Sequence, residues 1–164
     1  MELSKKQPEV IGYDLGGTIF QRIEGTMVIS EEALYVIRSL THTRFASRSY
    51  IVSRADEEQK IRATNILKKE RFFEATEIPK EHLIFCSERH EKAPICTEHG
   101  ITHFIDDRPE VLAHLTDVPH RILFGEVDWT EYERFRERLK GVTFASCWTE
   151  VDRLLFPYPA YRTI

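Results

Sequence analysis

The chain is poor in cysteine, in long apolar runs and in any excess of basic charge. Three cysteines occur in 164 residues, at positions 86, 96 and 147, and no two of them form a C-x-x-C pair. An odd, scattered set of thiols excludes a disulfide framework and fits reduced cysteines packed as small hydrophobes. No stretch approaches the ~20 apolar residues of a membrane span, and Met1 to Glu9 is too polar for a signal peptide. The expectation is a cytoplasmic protein. The net charge is −4 with both signs interspersed, so no basic stripe marks a nucleic-acid-binding surface. Charge leaves a nucleic-acid end open as a substrate. His99 and His103 stand four apart, but Gly100 between them breaks the helix that would align them, and no zinc spacing emerges. Low-complexity tracts, internal repeats and linkers are missing too.

What is present fits one globular domain over residues 1–164. The residues are 41% hydrophobic and 30% charged, enough to bury a core. Short apolar runs alternate with helical patterns, the signature of βαβ units around a parallel sheet. Strands are expected near Val10 to Asp14, Ser49 to Ser53, His82 to Ser87, Thr102 to Ile105 and Arg121 to Phe124, with an edge strand over Val142 to Ala145. Ile19 to Ile29 reads as a small hairpin or flap around Gly25. Ser30 and Asp56 look like N-caps, the second opening a long helix with Ile61, Ile66 and Leu67 on its apolar side. Further helices are expected over Glu91 to His99, from Pro109, over Thr130 to Lys140 and over Thr149 to Leu155, and Pro157 stops the last. Trp129, Trp148 and the Tyr158 to Tyr161 tail mark either an interface or a tail packed back on the domain.

The chemistry gathers at strand ends. Asp14 closes an apolar run and leads at once into Leu15-Gly16-Gly17-Thr18. A carboxylate there, before glycines whose backbone N–H groups can approach an anion, suits a nucleophile or metal ligand better than a core. Asp106-Asp107 ends another strand and Ser53 a third. In an open parallel sheet these ends share one edge, where ligands bind. Carboxylates meeting there repel unless a cation lies between them, and an all-oxygen set favours a hard ion such as Mg2+. Lys92, opening the helix before the Asp106 strand, could balance the rest, with Lys80 or Arg54 as substitutes. Asp106-Asp107 could instead cap the helix at Arg108-Pro109.

In this order and spacing the chain resembles the haloacid dehalogenase (HAD)-like hydrolases and phosphatases, over roughly residues 9–125. Asp14-Leu15-Gly16-Gly17-Thr18 is similar to their first motif, Asp-x-Asp-Gly-Thr; Ser53 matches the second, Lys92 the third and Asp106-Asp107 the acidic fourth. The resemblance implies a three-layer, doubly wound, mostly parallel α/β sheet of the HAD-like, Rossmannoid kind. Residues 126–164 follow as C-terminal helices and tail. It further implies Asp14 as nucleophile, with Ser53 and Lys92 completing the catalytic set. Gly17, Thr18, Ser53, Arg54 and Lys92 would hold phosphate. Asp14, the Gly16 carbonyl, Asp106 and Asp107 would hold Mg2+.

One position departs from the pattern. The family's phosphatases carry a second aspartate two residues after the nucleophile, which protonates the leaving alcohol and later activates water. Here that place is Gly16. General acid–base catalysis contributes typically ~10²–10⁴-fold, so phosphomonoesterase activity is expected to be weakened or altered. Relatives without this acid, such as dehalogenases, phosphonate hydrolases and P-type ATPases, use leaving groups that need less protonation. Glu24 and Asp56 are candidate replacements. Three outcomes stay open: a hydrolase acting on a good leaving group, a slow phosphatase, or an inactive binding or regulatory module. The gaps Thr18 to Ser53 and Arg54 to Lys92 are too short for a large cap domain. A nearly capless, open site suits a phosphorylated macromolecule, a partner protein, or a cap lent by another copy of the chain. The similar Asp-Leu-Gly-Gly-Thr loop of actin-like kinases belongs to a duplicated fold needing far more chain.

Overall fold

The structure, a computed structural model, describes residues 6–156. The Pro157-Tyr158-Pro159 stop and the Tyr158 to Tyr161 aromatics lie outside the described residues. Six strands form one sheet: β1 (Ile11–Tyr13), β4 (Ser49–Arg54), β5 (Leu83–Cys86), β6 (His103–Asp106), β7 (His120–Phe124) and β8 (Thr143–Ala145). Their order is β5-β4-β1-β6-β7-β8, and every pairing is parallel. A separate antiparallel hairpin, β2 (Phe20–Ile23) and β3 (Thr26–Ile29), follows β1 directly. Parallel neighbours need crossovers. These carry α1 (Glu31–Leu40), α2 (Glu57–Lys69), α3 (Phe72–Thr76), α4 (Lys92–Glu98), α5 (Pro109–His114) and α6 (Trp129–Phe135), and α7 (Trp148–Leu155) follows the last strand.

Side-chain alternation along the strands divides the core in two, as a sheet covered on both faces requires. Ile11, Tyr13, Ile51, Ile105, Ile122 and Phe124 face the layer of α1 and α7. Val10, Val52, Phe104 and Leu123 face the other layer, with Cys96, Val111 and Leu112. This is the three-layer α/β architecture that the alternating pattern implies. The helix starts follow local chemistry. Ser30 Oγ accepts from the Ala33 amide, and Asp56 and Gln59 close a reciprocal capping box. No helix among the described residues is long and apolar enough to cross a membrane.

Four expectations need correction. The helix expected over Thr130 to Lys140 stops at Phe135 and tightens into a 3₁₀ turn, Arg136–Leu139. The buried Arg121 guanidinium, on β7, donates to the carbonyls of Leu112, Arg138 and Lys140, which draws this segment onto the sheet. Ile61 is 63% exposed, because it shares a helix face with exposed Asn65 rather than with buried Leu67. His82 belongs to a turn before β5, with its ring Nδ1 3.0 Å from the Ser49 carbonyl oxygen. Trp148 is fully buried against Tyr13 and Phe124, so it marks no interface.

Gly12, in the middle of β1, has a packing reason. A Cβ there would stand 2.6 Å from a Phe104 ring carbon, and that ring is itself fully buried. Gly12→Ala should therefore destabilise the domain by about 1–3 kcal/mol, the usual cost of overpacking. Urea unfolding would check it, and an unchanged midpoint would contradict this packing.

Candidate active site

Strand order determines where a site can form. The chain runs from β1 outward through β4 and β5, then returns to the other side of β1 for β6, β7 and β8. The crevice beyond the carboxyl end of β1 is thus a topological switch point. Register then aligns the acids. Tyr13 pairs with Ile105, and the Asp14 amide donates to the Ile105 carbonyl at 3.0 Å. Asp14 and Asp106 therefore leave adjacent strands at the same level. One ligand oxygen each from Asp14, Asp106 and Asp107 lies within 4.8 Å of the others.

Lys92 enters from the first turn of α4. Its Nζ donates to Asp14 Oδ1 at 2.7 Å and to Asp106 Oδ2 at 2.9 Å, and the side chain is 2% exposed. This is no solvated helix-start lysine. Asp106 uses its other oxygen to accept from the Arg108 amide, at the start of α5. The N-cap of α5 is Arg108, with no side-chain cap, so this bond fixes the turn into the helix while Asp106 faces the cluster. Asp107 packs against the glycine turn. A Cβ on Gly17 would fall 2.1 Å from Asp107 Oδ2, and Gly17 has φ +75°. Only glycine meets both conditions. The turn itself is tied by Gly17 N to the Phe20 carbonyl and Phe20 N to the Leu15 carbonyl.

A cavity of about 270 Å3 contains Asp14, Gly16, Ser53, Arg54, Lys92, Asp106 and Asp107 together. Arg89 and Arg108 line it as well. Sequence reasoning missed both, since an arginine in a connecting loop carries no local signal of what it will face. Thr18 is fully buried and is not part of the cavity lining. Lys80 is likewise absent from that lining. Neither proposed replacement acid reaches the cavity. Glu24 sits exposed at the hairpin turn, and Asp56 is engaged in its capping box.

Three carboxylates lie close to one buried ammonium, and their proton affinities follow from that. Burial, then the charge of Asp106, raises Asp14 to about 6 against the pull of Lys92. Burial and the neighbouring Asp106 and Asp14 raise Asp107 to about 8. Burial opposes the charge on Lys92, but Asp106 and Asp14 outweigh it and the ammonium is held more firmly than usual. A hard divalent ion fits this donor set, because three close carboxylates share one ammonium and the Gly17 cradle leaves Asp107 room beside them.

Neither a protein-family model nor a curated protein matches the sequence. Among solved structures, a candidate haloacid dehalogenase-like hydrolase from Burkholderia xenovorans superposes with a TM-score of 0.51 at 10% identity, covering 77% of this chain. The chain has a HAD-like fold. It spans 57% of the length of that structure.

These protonation shifts give the cluster a pH signature in metal-free protein. The folded pKa values of Asp14 and Asp107 exceed the ordinary 3.8, so the unfolded chain releases these protons first. Stability then falls as pH rises from about 4 to about 8. His103, held down to about 4 chiefly by burial, acts in the opposite sense up to its ordinary 6.5. Above that the cluster's effect stands alone. Metal-free protein should lose stability between pH 6.5 and pH 8 by at most ~1.4 kcal/mol per pH unit. Millimolar Mg2+ should restore more at pH 8 than at pH 6.5. Asp107→Asn should flatten the decline. Thermal melts across this range decide it, and a flat wild-type profile would contradict the scheme.

Proposed function

We propose that this chain is a Mg2+-dependent phosphohydrolase or phosphotransferase that uses Asp14 as its nucleophile, with activity altered by Gly16. The observation that carries the reading is the meeting of three carboxylates, Asp14, Asp106 and Asp107, at the sheet's switch point, two of them bonded to the buried Lys92 ammonium. Asp14, the Gly16 carbonyl, Asp106 and Asp107 would hold the Mg2+. The ion would screen the nucleophile from the anionic substrate and stabilise charge on the transferring group.

The chain's own residues supply the rest. In an in-line displacement, an Asp14 oxygen forms a bond to phosphorus as the bond to the leaving oxygen breaks. Ser53, Arg54 and the third N–H of Lys92 are donors for the equatorial oxygens, fixed in position before reaction. Gly17 spends its amide on the Phe20 carbonyl, and neither it nor the buried Thr18 lines the cavity, so both shape the turn rather than donate to the anion. Water then hydrolyses the aspartyl phosphate. Nothing at Gly16 protonates the leaving group. The substrate is a phosphorylated compound, and access past a mere hairpin admits a phosphate on a macromolecule too.

An inactive binding module is the second reading, and two observations favour it. Gly16 lacks the acid, and Lys92 already satisfies two of the three carboxylates. Phosphate release with Mg2+ from acyl phosphates, aryl phosphates and alkyl phosphates separates the two. On the catalytic reading acyl and aryl phosphates are turned over, and Asp14→Asn abolishes this. No release from any class would establish the module instead.

Gly16→Asp offers a sharper test. No atom lies within 4 Å of the place where a Cβ at Gly16 would stand, and its backbone is outside the left-handed region. The substitution should be tolerated and should raise alkyl phosphate hydrolysis by about 10²-fold or more. An unchanged rate would mean that more than the acid is missing.

A further inference from the structure

The cavity around Asp14 shares Gly16, Ser53 and Arg54 with a second, larger cavity of about 590 Å3. This one lies between the hairpin and α2. Its walls are of two kinds. Phe20 and Met27 of the hairpin, Ile66 of α2 and Phe85 of β5 give it an apolar lining. Arg22, Arg54 and Arg62 bring three guanidinium groups to it, and none of its lining residues is acidic.

These arginines are lightly engaged. Arg22 donates one N–H to the Gly25 carbonyl at 3.0 Å. Arg54 donates to the Ser87 carbonyl and to Gln59 Oε1. Arg62 stands 3.6 Å from Glu58 in an exposed pair along the helix, a contact worth little in water. Each guanidinium carries five N–H donors, so each has donors to spare. A cavity of this size, apolar with a few convergent charges, has the form of a small-molecule site.

We propose that this second cavity receives the leaving group, and that the leaving group is an apolar, ring-sized body bearing a second anionic substituent, a carboxylate or a phosphate. The inference rests on the phosphoryl-transfer reading and names its substrate class. Gly16 joins the two cavities, and the space that a side chain there would fill is free for the leaving oxygen. Arginine stabilises negative charge but does not give up its proton at physiological pH. When the bond from phosphorus to the leaving oxygen breaks, the electron pair stays on that oxygen and the group departs as an anion. Arg54 faces the developing charge; Arg22 and Arg62 hold the second anionic substituent farther out. No general acid is consumed. The loss of the aspartate at position 16 and the gathering of arginines are then one adaptation.

The test uses binding, which needs no turnover. The probes are phenylphosphonate and 4-carboxyphenylphosphonate, titrated calorimetrically into the full chain with Mg2+ present. The carboxylated probe should bind about tenfold tighter or better, as hydrogen bonds to a charged group allow. In the Arg22→Gln/Arg62→Gln double variant that ratio should fall toward one. Both arginines are exposed, so the fold is not at stake. Equal affinity for the two probes, failure of both to bind, or a preference that survives the double variant would overturn the proposal. Turnover of acetyl phosphate and 4-nitrophenyl phosphate is a separate readout. Turnover without the charge preference overturns this proposal and leaves the catalytic reading standing. The preference without turnover supports the ligand class and removes the catalysis.

Discussion

A single buried ammonium governs the carboxyl edge of this sheet. Lys92 lies between Asp14 and Asp106 with almost no exposure to water. Taking such charges out of water is costly, and breaking a buried pair typically costs ~3–5 kcal/mol, because a charge is left uncompensated. The interaction therefore constrains everything it touches. It joins the end of β1 to the end of β6 and to the start of α4. Through the other oxygen of Asp106 it reaches the start of α5. The third acid, Asp107, is left with a glycine turn for a neighbour and no lysine of its own. Burial and that imbalance raise the proton affinity of Asp107 against the pull of Arg108.

Much of the fold was readable because its signals are local. Ser30 and Asp56 cap helices through contacts three residues away, and the strands alternate with helices at the spacing that crossovers need. The acidic pair was readable for a related reason, since a parallel sheet brings its strand ends to one edge whatever their distance in sequence. What escaped was set by non-local partners. The break after Phe135 depends on Arg121, a residue of a different element, reaching the Arg138 and Lys140 carbonyls beyond it. The burial of Lys92 depends on acids 78 and 14 positions away. Arg22 and Arg62 face one cavity only because the hairpin and α2 form two of its walls. No periodicity encodes such meetings.

On the phosphoryl-transfer proposal, Gly16 and the two cavities that meet at it have a common sense. A site with a general acid can expel a basic alkoxide; a site without one depends on groups that leave unaided. Positive charge on the leaving side lowers that demand further and selects for anionic character there. Specificity on this scheme draws on the hairpin and α2, which line the second cavity.

The central place of β1 also bears on how the molecule is made. Its second neighbour, β6, arrives late: Val10 and Thr102, which bond across that seam, are 92 positions apart. While the chain leaves the ribosome, β1, β4 and β5 can pair, but one side of β1 stays an open edge. Such an edge invites wrong partners until the second half of the sheet closes over it. The nascent chain is thus most vulnerable to aggregation before residue 106 emerges, and the charged cluster is the last part of the sheet's middle to be assembled.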